Sequence, residues 1–275
     1  MPKKGFKSIL TRSITGVVFV AIIIGALLFH SFAAFVVLGV AMYFTFIEYL
    51  SITIGHTANK RYVGLLKLNV MIFYALSYVY ARGQLAISPL FWPAPFLIIL
   101  AISELYNKEG NTFQNTSTAI MGLIYIILPF SLTNIMLNDG AEYNSLILLA
   151  VFILIWINDS FAYLFGISLG KHRMWERISP KKSWEGFIGG GLSTIILSAV
   201  IARLFFTELF TEMMGLAIIV IIFGTFGDLF ESKIKRQYEV KDSGTALPGH
   251  GGFLDRFDSF LFIIPIAMIY LQLIA

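Results

Sequence analysis

In GTFGDLFESKIKRQYEVKDSG, residues 224–244, the side chains of Asp228, Glu231, Ser232 and Lys235 recur at i, i+3, i+4 and i+7. One stripe of a single helix therefore carries two acids, a hydroxyl and a base. Further on, GHGGFLDRFD at 249–258 sets Asp255 and Asp258, with Ser259, on one face of the first turns of another helix. Ordinary helix chemistry accounts for part of this: Glu231 and Lys235 can bridge each other, and one aspartate at a helix start complements its positive end. It leaves Asp228, one turn deeper, and the second of the two aspartates. Carboxylates on two helices are hard oxygen ligands, and Asp228, Asp255 and Asp258 are expected to hold a divalent cation. Magnesium suits so few protein ligands, because it accepts one or two carboxylates, keeps several waters and takes substrate phosphates for the rest. A second cation could share the same donors. The chain has no cysteine and no Cys/His spacing for zinc.

Beside these acids and Asp242 stand Lys235, Arg236, Lys241 and Arg256. Bases for phosphate oxygens and acids for a metal are the two halves of a phosphoryl- or nucleotidyl-transfer site. Gly249, Gly251 and Gly252 would let the backbone turn tightly and bring its N–H groups to an anion; His250 is either a phosphate donor or a turn residue. A second basic set lies in GKHRMWERISPKKSWEGFIGGG, residues 170–191. Lys171, Arg173, Lys181 and Lys182 there are topology signals or ligands for an anionic head group, and Ser179, Lys181 and Lys182 are candidates for a substrate phosphate. Gly186 and Gly189 to Gly191 read as close helix packing. Asp159, in LIWINDSFAYLFG, shares a helix face with Tyr163 and Gly166. An ionised carboxylate at that depth needs a partner or water, so Asp159 is either an interhelical hydrogen-bonding group or support for the site, as are Glu231, Ser232 and Asp242.

The elements that must position these residues are membrane helices. Of 275 residues, 57% are hydrophobic and 13% charged, where a soluble domain carries about 25% charged residues. Apolar stretches near the roughly 20 residues of a bilayer span recur, without the alternation of a barrel. The expected fold is all-α and polytopic, with spans at 14–29, 32–50, 63–81, 90–102, 118–137, 145–166, 185–206, 214–232 and 259–275. The fourth is short and interrupted by Pro93 and Pro95, as in a kinked, tilted or re-entrant segment. Lys3, Lys4, Lys7 and Arg12 precede the first span, which is expected to stay as an anchor although Ser31-Phe32-Ala33 faintly resembles a cleavage site. Basic residues cluster after spans two, six and eight, while the intervening loops carry Asp139, Glu142, Glu208 and Glu212. This alternation puts the N-terminus and both motif loops in the cytoplasm. The net charge of +4 is thus mostly a topology effect, and no nucleic-acid partner is implied. Residues 1–137 read as scaffold, in which Glu48 and Lys67 near helix ends receive no role, and 138–275 as the catalytic half.

The stretch SKIKRQYEVKDSGTALPGHGGFLDRFD, Ser232 to Asp258, resembles the signature of the CDP-diacylglycerol synthases, also called phosphatidate cytidylyltransferases. That pattern runs Ser, one residue, an aliphatic, Lys-Arg, four residues, Lys-Asp, a small residue and on to His-Gly-Gly, closing with Asp-Arg and Asp. NDSFAYLFG and ISPKKSWEG are similar to weaker motifs of the family, with Ser183 where threonine is more usual. The N-terminal half resembles the family only in hydropathy. The resemblance implies that CTP and phosphatidate give CDP-diacylglycerol and pyrophosphate with magnesium, at the cytoplasmic face of the cell membrane among membrane lipids, and it is consistent with a homodimer. The residues themselves lead to metal-assisted chemistry on phosphates and do not reach cytidine. A CTP-dependent lipid or polyprenol kinase would use the same parts. An ion-coupled transporter could use Asp159 and Asp228 as cation sites, but inverted repeats are missing and the charges crowd into two loops.

Overall fold

The computed structural model describes residues 3–54, 59–87, 91, 93–106, 111–140, 142–205, 207–249 and 251–274, with side chains from residue 13 onward except at 139. Its α-helices are α1 (Lys3–Phe29), α2 (Ser31–Thr53), α3 (Lys60–Ala81), α4 (Pro93–Leu105), α5 (Thr112–Gly122), α6 (Leu128–Leu137), α7 (Leu146–Leu169), α8 (Trp184–Phe205), α9 (Phe210–Ile219), α10 (Thr225–Gln237) and α11 (Leu254–Ile274). Five-residue π turns, Leu123–Ile127 and Val220–Gly224, join α5 to α6 and α9 to α10. Among the described residues, seven helical segments are long and apolar enough to cross a membrane: Ser31–Thr53, Lys60–Ala81, Thr112–Leu137, Leu146–Leu169, Trp184–Phe205, Thr207–Gln237 and Leu254–Ile274. Two apolar stretches are shorter among the residues with described side chains: Ser13–Phe29, the later part of the 27-residue α1, and Pro93–Leu105. The latter, at 13 residues, rises only about 20 Å against a hydrocarbon core of about 30 Å. Helix length thus supports seven of the nine expected spans, and the chain is a multi-pass α-helical membrane protein.

The chain forms two compact units. Unit 1 comprises Met1–Ser145 and Val240–Phe257. Within it α2 packs against α1, α3 and α5, and small residues let large ones close in: the Gly39 backbone lies under the Tyr74 ring, and Gly122 under Phe46 and Tyr49. Polar side chains tie the helices where no water can. Asn134 Nδ2 donates to Ser77 Oγ at 2.9 Å, and Ser31 Oγ to Asn138 Oδ1 at 2.6 Å.

The returning segment 240–257 is held in unit 1 by two carboxylates. Gly249 and Gly251, at φ 78° and 81°, adopt the left-handed backbone that other residues avoid, and Leu247 N donates to Gly251 O at 3.0 Å across the turn. Glu48, only 8% exposed, accepts from Ser243 Oγ at 3.0 Å, Phe253 N at 3.0 Å and Leu254 N at 2.9 Å. Asp255 Oδ2 accepts from Gly252 N at 2.8 Å and Ser243 N at 3.2 Å. The first N–H groups of a helix have no carbonyl one turn back; at the start of α11 Glu48 supplies the acceptor, while Asp255 ties down N–H groups of the loop before it. A Cβ on Gly252 would strike both Glu48 and Ser243, so the close approach requires glycine there. Phe257 completes the anchorage, with its ring 5.8 Å from Phe19 and 5.1 Å from Phe130.

Unit 2 comprises Leu146–Glu239 and Asp258–Ala275. Here α7 and α8 lie nearly backbone to backbone: a Cβ on Gly190 would come within 2.8 Å of Ala162 Cβ and 3.0 Å of its Cα. The expected packing role of the glycine run is thus met. Between these helices an antiparallel hairpin, β3 (Arg173–Trp175) and β4 (Ser179–Ser183), projects from the helix ends. Ser183 Oγ accepts from Gly186 N at 3.2 Å, capping α8 with the hydroxyl that either serine or threonine would provide. Glycine also sets the α10–α11 contact, since a Cβ on Gly227 would lie 2.5 Å from Asp258 O. Ser259 Oγ donates to Gly224 O at 3.1 Å beside it.

Replacing Gly190 with valine should destabilise the protein by about 1–3 kcal/mol through overpacking against α7; an unchanged melting temperature in detergent would refute the close contact. Replacing Glu48 with alanine should cost about 1–3 kcal/mol for each buried donor left without an acceptor. Amide exchange at Phe253 and Leu254 should then accelerate about tenfold or more, whereas unaltered protection would show that another group holds the loop.

Candidate active site

The charged stripe of α10 begins directly after the π turn 220–224. An extra residue in a helical turn re-aims the side chains that follow, which is why such turns recur at functional sites. Here they bring Asp228 toward the hairpin. Lys182 Nζ, on β4, lies 2.7 Å from Asp228 Oδ2 and 3.4 Å from Thr225 O. Ser232 Oγ donates to Asp228 Oδ1 at 3.3 Å. Both Asp228 oxygens are therefore engaged, yet the Asp228 and Lys182 side chains keep 36% and 24% of their surface exposed, so water and small ions can reach them.

One turn along, Lys235 Nζ lies 2.5 Å from Glu231 Oε2, with both side chains buried. The expected internal bridge forms. Asp258 lies within electrostatic reach of Asp228, Glu231 and Asp159, and its Oδ1 accepts from Ser259 N at 2.6 Å. Three helices of unit 2, α7, α10 and α11, thus bring four acids into one neighbourhood, with Lys182 and Lys235 among them. Acids so placed repel one another when ionised, and a cation relieves that repulsion. Asp228, Asp258 and Asp159 present hard oxygens of the type magnesium takes. Among the described residues, no three acids or histidines close tightly enough to form a metal shell by themselves.

The other predicted residues divide between the units. In unit 2, Ser179 is half-buried and Lys181 exposed on β4, and Arg236 is exposed on α10. In unit 1, Lys241, Asp242 and Arg256 are exposed, and Asp255 is half-buried with its Oδ2 turned to the loop backbone. His250 lies outside the described residues. The expectation that glycine-loop N–H groups face an external anion is not met at Gly252. Its N–H goes instead to Asp255, a contact inside the loop just before α11.

Two contacts went unforeseen. For Glu48 the sequence shows only a place near a helix end, although an acid in an apolar helix signals a partner elsewhere; that partner lies about 200 residues away in sequence. Lys182 reads from sequence as a phosphate ligand, and nothing in its spacing announces the ion pair with Asp228.

A family model described as the cytidylyltransferase family matches residues 10–274. Proteins named phosphatidate cytidylyltransferase are similar to this chain: one from Staphylococcus aureus (strain COL) is 40% identical over 177 residues, covering 63% of this chain and 65% of the relative. One from Staphylococcus haemolyticus (strain JCSC1435) is 40% identical over 176 residues, and one from Staphylococcus saprophyticus is 39% identical over 176, with the same shares covered. The matched stretch thus spans less than two thirds of these relatives' own length. The family model runs through both units, from α1 to the end of α11, and includes the acid cluster and the loop held by Glu48; the chain belongs to the cytidylyltransferase family.

Proposed function

We propose that the protein is a phosphatidate cytidylyltransferase, transferring CMP from CTP to phosphatidate to form CDP-diacylglycerol and pyrophosphate in phospholipid biosynthesis. The observation that carries this reading is the acid cluster of Asp228, Asp258, Glu231 and Asp159 with Lys182 against it. It lies on the helices that bear the Ser232–Asp258 signature, in a chain of the cytidylyltransferase family. The names of the staphylococcal relatives support the same substrates.

Phosphatidate carries a phosphate whose second pKa, by analogy with other phosphomonoesters, is about 6. It is largely ionised at neutral pH and needs no dedicated base. Its oxygen forms a bond to the α phosphorus of CTP; the bond from that phosphorus to the α–β bridging oxygen breaks, and pyrophosphate leaves with the electron pair. Asp228 and Asp258 in unit 2 would hold magnesium, and Asp255 is the further ligand that the signature suggests. When bound, the metal supplies neutralisation of charge on the α-phosphate and leaving-group oxygens. Lys182 would pass from Asp228 to a phosphate oxygen, with Lys181, Ser179, Lys235 and Arg236 as further unit 2 candidates for phosphate contacts. For Lys241, His250 and Arg256 the proposed phosphate-binding role rests on the motif alone. The density of basic residues in the two motif loops supports a cytoplasmic site, where a soluble triphosphate meets a lipid head group.

Purified protein given phosphatidate, magnesium and CTP labelled at the α phosphorus should place label in lipid, and chelator should abolish the transfer. Label entering from the γ phosphorus instead would identify a lipid kinase. Changing Asp228 to asparagine should lower turnover about 10²-fold or more at unchanged protein level. Undiminished turnover in that variant would remove Asp228 from the chemistry.

A further inference from the structure

Away from the acid cluster, unit 1 carries a groove of about 510 Å³ between α2 and α3, lined by Phe35, Val36, Gly39, Val40, Tyr43, Phe44, Lys67, Leu68, Met71 and Tyr74. Its lining is ordered along the helices. On α2 it runs from 35 to 44 and on the following helix from 74 back to 67, so Lys67 and Tyr43 both lie toward the end nearer the α2–α3 connection. From there the trough runs about eight residues, or about 12 Å at 1.5 Å per residue. Its floor is fixed: the Tyr74 ring stacks on Phe35 at 5.0 Å, its hydroxyl donates to Phe35 O at 3.0 Å, and the ring packs directly on the Gly39 backbone, where a Cβ would come within 2.7 Å of it. Its rim is apolar and outward-facing, with Val36, Val40, Phe44, Leu68 and Met71 all exposed.

Lys67 is the anomaly. It lies seven residues, about 10 Å, into a helix that is otherwise apolar enough to cross a membrane. Among the described residues, no salt bridge joins an acid to Lys67. A cation inside a membrane segment is costly without a counter-charge, and a groove open to lipid can receive one from the bilayer itself. A second copy of this chain or an apolar helix would cover the rim but leave the ammonium unanswered.

We infer that the α2–α3 groove is a binding site for one anionic membrane phospholipid, its phosphate on Lys67 and the Tyr43 hydroxyl and an acyl chain along the trough toward Phe35 and Tyr74. This site is separate from the acid cluster and does not depend on the reaction proposed above.

The test is native mass spectrometry of the full chain released from nanodiscs containing equal phosphatidylglycerol and phosphatidylcholine, with Lys67→Met and Val40→Phe as variants. Wild type should retain one phosphatidylglycerol per chain in preference to phosphatidylcholine by about fivefold, the preference that one lysine near an anionic leaflet confers. Lys67→Met should erase the preference, and Val40→Phe, which fills the trough from an exposed position, should lower retention of either lipid. Equal retention of the two lipids by wild type, or an anionic preference unchanged in Lys67→Met, would overturn the site. So would a wild-type dimer that Val40→Phe dissociates without altering lipid retention, since the groove would then belong to a second copy. Circular dichroism of each variant separates loss of the site from loss of the fold.

Discussion

A charge or a backbone N–H inside an apolar helical protein has to find a partner, and the pairings made within the protein organise both units. In unit 1 this requirement appears at the start of α11, where Glu48 takes the N–H groups of Phe253 and Leu254 while Asp255 takes those of Gly252 and Ser243 in the loop before it. The acid on α2 thereby fixes the path of a segment far along the chain, and glycine at 252 follows from it, because any Cβ would collide with the carboxylate. In unit 2 the requirement appears as the pairing of Asp228 with Lys182 and of Glu231 with Lys235.

The two pairs differ in a way that bears on function. Glu231 and Lys235 are buried together, so breaking either would strand the other's charge. Asp228 and Lys182 are partly exposed, and their ion pair is the weaker for it. A pair that solvent reaches can exchange partners, acid to metal and lysine to phosphate, at small cost. Asp228, Glu231 and Asp159 all lie within electrostatic reach of Asp258, and a cation among them would relieve their mutual repulsion.

Much of this was legible in the sequence. Hydropathy gives the all-α membrane fold, because a spanning helix needs only length and apolar composition; among the expected spans, the fourth is the one whose helix, Pro93–Leu105, is short at 13 residues. The i, i+3, i+4, i+7 stripe of α10 is readable because its partners are local, and the Glu231–Lys235 bridge forms as the spacing predicts. The glycines of α8 are readable because small residues have one common use between membrane helices. What the sequence hides is long-range pairing. No pattern states that Glu48 reaches Phe253 and Leu254, or that a hairpin lysine turns to Asp228. The π turn at 220–224 is silent as well, since its residues are those of any apolar helix.

The central claim is that the unit 2 acids form a divalent-cation site used together with a nucleoside triphosphate. Electron paramagnetic resonance of manganese added to the purified protein tests it most directly. The prediction is about one bound manganese per chain, tightened by CTP, with binding lost when Asp228 and Asp258 are both changed to asparagine. Manganese bound equally well by that double variant, with the same response to CTP, would contradict the assignment of the metal to these helices.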